Sequence, residues 1–284
     1  MPTTKLALVI LAGGLGSRFG GNKQLQPFGA SGRFLFEYAC FDAKNAGFDK
    51  VFVIVRAGME SVVDQQLKKW LTPHRFEVLT QVQTRQKPWG TAHALSFLSG
   101  KWSGSFLVLN ADDYYGSSLM QQVKRLHEQG VGAACLAYAL GDTLSPFGAV
   151  SRGICDLNGN LLSQITEKTK LQLDGVSIKD EFGNTYAHHA LISMNAWFLP
   201  VKFLDFLTQY VADYQLQYAN DAKSEIYLPN AIQHAIATKV LEVHVVKSEG
   251  NWFGLTYPQD LEGAVQKIEH IEDLVYPAYF EQWT

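Results

Sequence analysis

The stretch KLALVILAGGLGSRFGGNK, residues 5–23, decides how this chain folds. Its first half is an apolar run with the length of a buried strand. Five glycines then fall within positions 13–21, and glycine lets the backbone turn tightly and present its N–H groups to a ligand. A loop of this kind, directly after an N-terminal strand, is typical of phosphate-binding sites. Arg18 and Lys23 add a guanidinium and an ammonium group, both suited to phosphate oxygens.

Two common glycine motifs do not describe this loop. The dinucleotide-binding motif Gly-x-Gly-x-x-Gly fails because, counted from Gly14, its sixth position is Phe19. The P-loop motif fails because Asn22 separates Gly21 from Lys23 and no hydroxyl residue follows the lysine. What remains is Gly-Gly-x-Gly-Ser-Arg with a lysine five residues after the arginine.

Length and composition describe an ordinary globular protein. The chain has 284 residues, of which 47% are hydrophobic and 18% charged, and its net charge is −3. A nucleic-acid-binding protein would normally carry a basic face, and no apolar run reaches the ~20 residues needed to cross a bilayer. Neither a secretory signal nor a metal-binding cysteine pattern is present, since Cys40, Cys135 and Cys155 are scattered. We expect buried free cysteines, no nucleic-acid or membrane partner, and a cytoplasmic protein.

Strand and helix patterns alternate after the loop. Residues 32–47 and 60–70 have helical periodicity, whereas residues 50–55 and 76–83 read as buried strands. This alternation predicts βαβ units and a parallel sheet with the glycine-rich loop at its C-terminal edge, where open α/β folds bind ligands.

A second polar segment is predicted at the same edge. The apolar strand at residues 105–110 leads directly into Asp112 and Asp113. Mg²⁺ in proteins typically binds one or two carboxylates together with phosphate and water oxygens. We therefore predict Asp112 as a metal ligand, and Asp113 as the cap of a helix over residues 117–129.

The second half of the chain is less regular. Asn158-Gly159 predicts a hairpin turn, and the following strand ends at Glu167 and Lys168. Residues 170–189 are polar and predict a mobile loop or flap. The simplest prediction is one domain over residues 1–284. Its nucleotide-binding half covers about 1–130, and its sugar-phosphate-binding half, with the C-terminal helices, covers about 131–284.

Several motifs in order along the chain resemble one family. They are Leu-Ala-Gly-Gly-x-Gly-Ser-Arg, Gly-Thr-Ala-His-Ala, Asn-Ala-Asp-Asp, Gly-Ala-Val-Ser and Glu-Lys. Together they resemble a bacterial branch of the sugar-phosphate nucleotidyltransferases. The resemblance implies a Rossmann-like three-layer α/β/α fold with a mixed, mostly parallel sheet. It also implies an Mg²⁺-dependent enzyme of nucleotide-sugar biosynthesis that joins a nucleoside triphosphate to a sugar 1-phosphate and releases pyrophosphate.

Residue roles follow from the resemblance position by position. Arg18, Lys23 and Asp112 would be the catalytic residues, with Asp112 holding Mg²⁺. The nucleotide would be bound by Leu11, Ala12, Gly13, Gly14, Gly16, Ser17, Gln83, Gly90 and Thr91. The sugar phosphate would be bound by Gly148, Glu167, Lys168 and Asn195.

Two positions depart from the family pattern. Arg85 stands where the base-reading glutamine is expected, five residues before Gly90, so Gln83 and Gln86 are both candidates. Gly254 stands where a second metal-binding acid is expected. The nearest acids there are Glu249 and Asp260, and Asp260 also suits the first turn of a helix.

The sequence leaves more than one base and acceptor open. Gly-Thr-Ala-His at residues 90–93 resembles uridylyltransferases and favours UTP, and Glu167 beside Lys168 favours a sugar. The competing hypotheses are transfer to a phosphoalcohol or a molybdopterin-type cofactor, and a non-catalytic sensor of nucleotide sugars. Whether identical chains associate also stays open.

Overall fold

The computed structural model describes residues 5–14, 23–28, 32–83 and 85–276. A mixed β-sheet forms the middle layer, and the two faces of the sheet are covered by separate sets of helices. The predicted three-layer α/β/α fold class is therefore confirmed. No helix in these ranges is both long and apolar enough to cross a membrane.

The strands and helices are numbered in chain order. The strands are β1 (Leu6–Ala12), β2 (Pro27–Phe28), β3 (Arg33–Phe34), β4 (Lys50–Arg56), β5 (Phe76–Gln81), β6 (Ser105–Asn110), β7 (Asp113–Tyr114), β8 (Ala134–Ala139), β9 (Val150–Asn158), β10 (Leu161–Asp174), β11 (Ser177–Lys179), β12 (Thr185–Tyr186), β13 (Leu191–Leu199), β14 (His244–Lys247) and β15 (Phe253–Gly254). The α-helices are α1 (Leu35–Asn45), α2 (Glu60–Lys68), α3 (Thr91–Ser96), α4 (Leu119–Glu128), α5 (Lys202–Gln217), α6 (Leu228–Ala237) and α7 (Asp260–Val275). Short 3₁₀ helices cover Lys23–Leu25, Pro73–Arg75 and Leu140–Thr143.

The main sheet runs in the order β12-β11-β10-β14-β8-β13-β6-β1-β4-β5, and β9 pairs with both β10 and β13. Strand β1 is parallel to β4 and β6, and β4 is parallel to β5. Strand β13 is antiparallel to β6 and β8, whereas β14 is parallel to β8. The parallel pairings therefore dominate the N-terminal half, and antiparallel pairings dominate the C-terminal half.

Strand β1 lies in the interior of the sheet because both of its faces are apolar. All seven of its residues are buried. Leu8 packs on one face with α1, α2 and α4, and Val9 packs on the other with α3, α5 and α6. Such double burial is what a continuous apolar run in a parallel sheet achieves. Because β1 and β6 run parallel in register, the residues after both strands emerge at the same edge.

The C-terminal helix α7 supports that edge from outside the main sheet. Its Ala264 and Ile268 form a small third core with Tyr38, Tyr114 and Phe253. The Tyr38 hydroxyl also donates a hydrogen bond of 2.5 Å to Glu272 of α7. This core fixes the two-stranded ribbon of β7 and β15, on which part of the candidate site is built.

The sequence predictions for the second half were partly wrong. The hairpin at Asn158-Gly159 is confirmed, since β9 and β10 pair across it. Residues 170–189 are not simply a loop: β10 continues to Asp174, and β11 and β12 extend the sheet. Cys40, Cys135 and Cys155 are buried and free, as expected.

Candidate functional site

Lys23 and Asp112 meet at the C-terminal edge of the sheet. Asp112 follows β6, and the N–H of the preceding Ala111 donates to the Leu11 carbonyl of β1 at 3.1 Å. The Lys23 ammonium forms an ion pair with the Asp112 carboxylate, and each side chain is 21% exposed. Lys23 also donates to the Leu255 carbonyl at 3.1 Å. Two of the residues predicted as charged site residues are thus in direct contact beside the end of β1.

Gly16, Ser17 and Arg18 lie outside the described residues. Their predicted roles therefore stay predictions.

Asp113 is a buried carboxylate behind Asp112. One of its oxygens accepts hydrogen bonds from the Asn110 amide at 2.9 Å and from the Tyr115 hydroxyl at 3.2 Å. Burial, together with the negative charge of Asp112, raises the pKa of Asp113 to about 7. The predicted capping role was wrong: α4 begins at Leu119, and Asp113 belongs to the β7 strand. Asp113 has the local sequence pattern of a helix cap, but it pairs instead with β15, a strand far along the chain.

The partner of Asp113 in that strand pairing is Gly254. The two residues face each other in the antiparallel β7–β15 ribbon. A Cβ at position 254 would overlap the Asp113 carboxylate and would come within 2.7 Å of the Trp252 ring. The absent side chain of Gly254 therefore leaves the space that the Asp113 carboxylate occupies.

The other two acids considered for a second metal ligand have different partners. Glu249 forms a two-oxygen ion pair with Arg125, with both N–O distances at 2.7 Å. Asp260, the first residue of α7, accepts from the backbone N–H groups of Thr256 at 2.8 Å and Tyr257 at 2.6 Å, which holds the segment before the helix against its first turn.

Among the described residues, the neighbouring carboxylates at this end of the sheet are therefore those of Asp112 and Asp113. No group of three or more His, Cys, Asp or Glu side chains suitable for a metal occurs in the described ranges. Asp112 and Asp113 fit a hard cation that takes one or two carboxylates and completes its coordination with phosphate and water oxygens, as Mg²⁺ does.

A glutamine that sequence reasoning missed lies at the nucleotide end. Gln81 is the last residue of β5 and is only 2% exposed. Its side-chain oxygen lies so close to Gly13 that a Cβ there would be 2.7 Å away. Its amide nitrogen donates to the Gly90 carbonyl at 3.3 Å and lies 2.9 Å from Nδ1 of His93. Gln81 thus connects the two glycine segments predicted to bind the nucleotide.

His93 fixes the orientation of that amide. Burial, and secondly the charge of Arg85, lowers the pKa of His93 to about 4, so the ring is neutral at neutral pH. Because the Gln81 nitrogen is the donor, Nδ1 of His93 accepts. The Gln81 oxygen is therefore left facing Gly13.

Arg85, which stands in place of the expected glutamine, takes part in holding a loop. Its guanidinium stacks on Trp89 at 3.5 Å from the ring centre. It donates to the carbonyls of Lys87 and Asp221, both at 2.8 Å, and also to Pro88 and Ser224. Gln83, one of the two predicted candidates, has a buried amide nitrogen with no hydrogen-bond partner within the described residues. Gln86 is exposed.

Gly90 and Thr91 bind the segment before α6. Gly90 has a φ of 100°, and a Cβ there would lie 2.7 Å from the Ile226 carbonyl oxygen. The Thr91 hydroxyl accepts the Leu228 N–H at 2.9 Å. Position 90 therefore requires glycine for a close approach of two backbones, in addition to any contact with a nucleotide.

Asn195, predicted on the acceptor side, joins the carboxylate pair. It has a left-handed φ of 61°. Its amide nitrogen donates to Asn110 at 3.2 Å, and its oxygen accepts from Trp197 at 3.0 Å. Since Asn110 also donates to Asp113, Asn195 is connected to the predicted metal end through one hydrogen-bonded side chain.

The remaining residues predicted on the acceptor side are not brought onto one face. Glu167 and Lys168 are neighbours in β10, so their side chains leave the strand on opposite faces. Glu167 is exposed, and partial desolvation raises its pKa against the opposing effect of Arg152. Gly148 lies against Tyr257, whose hydroxyl donates to the Ala149 carbonyl at 2.5 Å.

Comparison with known proteins gives a consistent result. Residues 8–173 match the family model described as the MobA-like NTP transferase domain. The bifunctional protein GlmU of Pelotomaculum thermopropionicum is 31% identical over 168 residues, which is 57% of this chain and 34% of that protein. The chain thus spans about a third of the length of the curated relative it matches.

Two solved structures share the fold over nearly the whole chain. The inositol-1-phosphate CTP transferase of T. maritima has a TM-score of 0.67 at 16% identity, covering 96% of this chain and 98% of its own. The CTP:phosphocholine cytidylyltransferase of Streptococcus pneumoniae has a TM-score of 0.65 at 16% identity, covering 93% and 99%.

Proposed function

This chain belongs to the family of MobA-like NTP transferase domains, and we propose that it joins a nucleoside triphosphate, UTP in the first place, to a sugar 1-phosphate. The products are a nucleotide sugar and pyrophosphate. Residues 1–284 are proposed as one domain for this reaction.

The observation that carries the proposal is the Lys23–Asp112 pair at the end of β6. It lies beside Gly13 and Gly14, where β1 ends. A cation and a carboxylate held together at the C-terminal edge of a sheet are what a triphosphate and its divalent cation require. The proposed roles are that Asp112 holds the cation and Lys23 binds the α-phosphate.

For this reaction the protein mainly has to position the two phosphate groups and neutralise their negative charge. An oxygen of the acceptor phosphate attacks the α-phosphorus, and the bond from that phosphorus to the pyrophosphate oxygen breaks in line. The attacking phosphate is already an anion, so no general base is needed. Mg²⁺ held by Asp112 and Asp113 would supply charge neutralisation of the phosphate oxygens. Lys23, released from its ion pair with Asp112, would stabilise the negative charge that develops on the α-phosphate.

Gln81 is the proposed base-reading residue. Its oxygen faces Gly13 and would accept a hydrogen bond from the base. The N3–H of uracil suits such an acceptor, which supports UTP, and the amino group of cytosine is the competing donor. His93 and Gly90 keep the amide in this orientation by accepting from its nitrogen.

A sugar 1-phosphate is favoured over different acceptors by Glu167. A hydroxyl-rich ligand needs hydrogen-bond acceptors, and Glu167 would offer its carboxylate on the face of β10 opposite to Lys168. The second candidate is a phosphoalcohol, since the S. pneumoniae protein of the same fold is named for phosphocholine. Transfer to a molybdopterin-type cofactor is the third candidate, and non-catalytic sensing of nucleotide sugars is the fourth.

One experiment tests these candidate functions together. Pyrophosphate release is measured with Mg²⁺ for each of the four ribonucleoside triphosphates against hexose 1-phosphates, inositol 1-phosphate and phosphocholine. The proposal predicts the highest kcat/KM for UTP with a hexose 1-phosphate. Preference for phosphocholine would overturn the sugar assignment. Tight nucleotide-sugar binding without turnover for any pair would favour the sensor.

A further inference from the structure

Helices α1 and α7 are joined by two hydrogen bonds between tyrosines and carboxylates. The Tyr38 hydroxyl of α1 donates to Glu272 of α7 at 2.5 Å. In the opposite direction, the hydroxyl of Tyr276, the residue directly after α7, donates to Asp42 of α1 at 2.8 Å. On each side the donor and the acceptor are four positions apart, which is about one helical turn. These four residues form the α1–α7 clasp, which fixes where α7 lies along α1.

The clasp lies in the interior of the protein. Tyr38 is 1% exposed, Tyr276 is 3% exposed and Glu272 is 7% exposed. Burial raises the pKa of Asp42 well above its ordinary value, and the hydrogen bond from Tyr276 opposes that rise. Leaving a buried polar group without its partner costs more than the bond itself contributes. A displacement of α7 would break both bonds, so the position of this helix is strongly constrained.

Tyr276 also contacts the strand that carries Asp113. Burial raises the pKa of Tyr114 to about 12, against a hydrogen bond with the Tyr276 hydroxyl. The Tyr38 ring meets the Tyr114 ring edge-on, with 6.4 Å between the ring centres. Tyr114 is the neighbour of Asp113 in β7 and stacks on Phe253 of β15, with 4.9 Å between the ring centres. The clasp therefore reaches both strands of the ribbon through the Tyr114 side chain.

The connection between α1 and β7 is made by side chains. A narrow cleft lies between Asp42 and Asp113, with Tyr114 and Met120 among its lining residues. The cleft has no room for a water molecule. The position of β7 relative to α1 is therefore set by direct side-chain contacts, among them those of Tyr276.

The other strand of the ribbon leads to Lys23 and Asp112. The Leu255 N–H donates to the Asp112 carbonyl at 3.3 Å, and the Leu255 carbonyl accepts from the Lys23 ammonium at 3.1 Å. The Leu255 side chain is 3% exposed and packs in the small third core that α7 covers. Gly254, the preceding residue, is paired with Asp113. A shift of α7 would therefore be transmitted to contacts of all three charged residues.

We propose that Tyr276 is a positioning residue for the metal end of the site. It holds α7 to α1 and supports Tyr114, and through them it sets the position of the Asp113 carboxylate beside Asp112. Its assigned role involves no contact with a substrate or with the cation. The inference rests on the proposed function and adds to it that the affinity for the divalent cation depends on the C-terminal helix.

The test compares Tyr276→Phe and Tyr38→Phe with a matched control, Tyr186→Phe. Tyr186 lies in β12 at the outer end of the main sheet, and its hydroxyl donates to the Asp180 carboxylate at 2.8 Å. The control therefore loses the same kind of bond at a place that does not support the ribbon. Mn²⁺ binding is titrated without substrates, from the electron paramagnetic resonance signal of the free ion. We expect Tyr276→Phe to weaken Mn²⁺ binding roughly 3- to 10-fold, which corresponds to one hydrogen bond. Tyr38→Phe should act in the same direction, and the control should change less than about twofold.

Two further measurements separate positioning from a general loss of stability. Circular dichroism establishes the temperature below which each variant is fully folded, and all titrations are made there. Tyr38→Phe keeps the inference testable if Tyr276→Phe does not fold. In pyrophosphate-release assays, the Mg²⁺ concentration for half-maximal rate should rise in the two clasp variants by the same factor as the Mn²⁺ dissociation constant. The kcat at saturating Mg²⁺ and the KM for the acceptor should stay within about twofold.

The possible outcomes distinguish this inference from the proposed function. Unchanged Mn²⁺ affinity in folded clasp variants, with a loss of thermal stability alone, overturns the inference while the transferase activity stands. An equal loss of affinity in Tyr186→Phe overturns it as well. If the unmodified chain binds Mn²⁺ but shows no turnover, the proposed function fails, and the Mn²⁺ affinities still decide the inference. If the unmodified chain binds no Mn²⁺ and shows no turnover, both are overturned.

Discussion

Placing an aspartate at position 254, opposite Asp113 in the β7–β15 ribbon, tests whether the Asp113 carboxylate fills that space and contributes to metal binding. The Asp113 carboxylate fills the space that a side chain at 254 would need. Gly254→Asp should therefore lower the free energy of unfolding by about 1–3 kcal/mol, the usual cost of overpacking, and the added charge beside buried Asp113 increases that cost. Gly254 has no positive φ, so backbone strain does not contribute. In an Asp113→Ala background the same substitution should cost at least about 1 kcal/mol less.

The four proteins of this cycle are compared by urea unfolding and by Mn²⁺ binding. Asp113→Ala also leaves the Asn110 side-chain amide without its acceptor, so the quantity to interpret is the coupling free energy of the cycle and not the cost of a single substitution. Mn²⁺ affinity, measured from the electron paramagnetic resonance signal of the free ion, should fall in Asp113→Ala and recover in the double variant. An equal cost of Gly254→Asp in both backgrounds would refute the reasoning. So would unchanged Mn²⁺ affinity in Asp113→Ala.

Three predictions concern the nucleotide end. Gln81→Leu should raise the KM for the preferred triphosphate roughly 3- to 10-fold, the value of one hydrogen bond, and weaken selection among bases in competition assays; an effect of Gln83→Leu with none from Gln81→Leu would contradict the assignment. The pKa of His93 is lowered to about 4 in the folded chain, so as the pH falls His93 is protonated in the unfolded chain before it is protonated in the folded one. The contribution of His93 to the free energy of unfolding is therefore fully present above about pH 6.5 and is lost as the pH falls toward 4. Allowing for partial solvent screening, the unfolding free energy of the unmodified chain should drop about 2 kcal/mol more over that window than that of His93→Asn; parallel urea curves would show that His93 does not titrate this way. Arg85→Ala should lower stability by about 1–3 kcal/mol through its lost carbonyl contacts while base selection stays unchanged, and altered selection would mean that Arg85 contacts the base.

The parts of the fold that depend on sequence patterns spanning only a few residues were predictable. The apolar run of β1, the βαβ alternation after it and the acids after β6 all have signals within a few residues, so the sheet edge and the approach of Lys23 to Asp112 followed. The extension by β11 and β12 was not predicted, because residues 170–189 are polar and their strands are fixed by pairing with one another.

The missed site residues depend on contacts that are distant in sequence. Counting five positions back from Gly90 leads to Arg85 and misses Gln81, because β5 ends nine positions before that glycine. The end of the apolar strand at Gln81 was the usable signal. Asp113 has the local pattern of a helix cap, and its true partner, Gly254, lies in a strand far along the chain.

The most direct measurement is the rate of pyrophosphate release by Lys23→Ala and Asp112→Asn, with UTP, a hexose 1-phosphate and Mg²⁺. Lys50→Ala is the matched control, since Lys50 forms an ion pair with Glu77 at the opposite edge of the sheet. Each site variant should lose about 10²–10³-fold in rate, while the control should keep the rate of the unmodified chain. Near-normal turnover in both site variants would contradict this prediction.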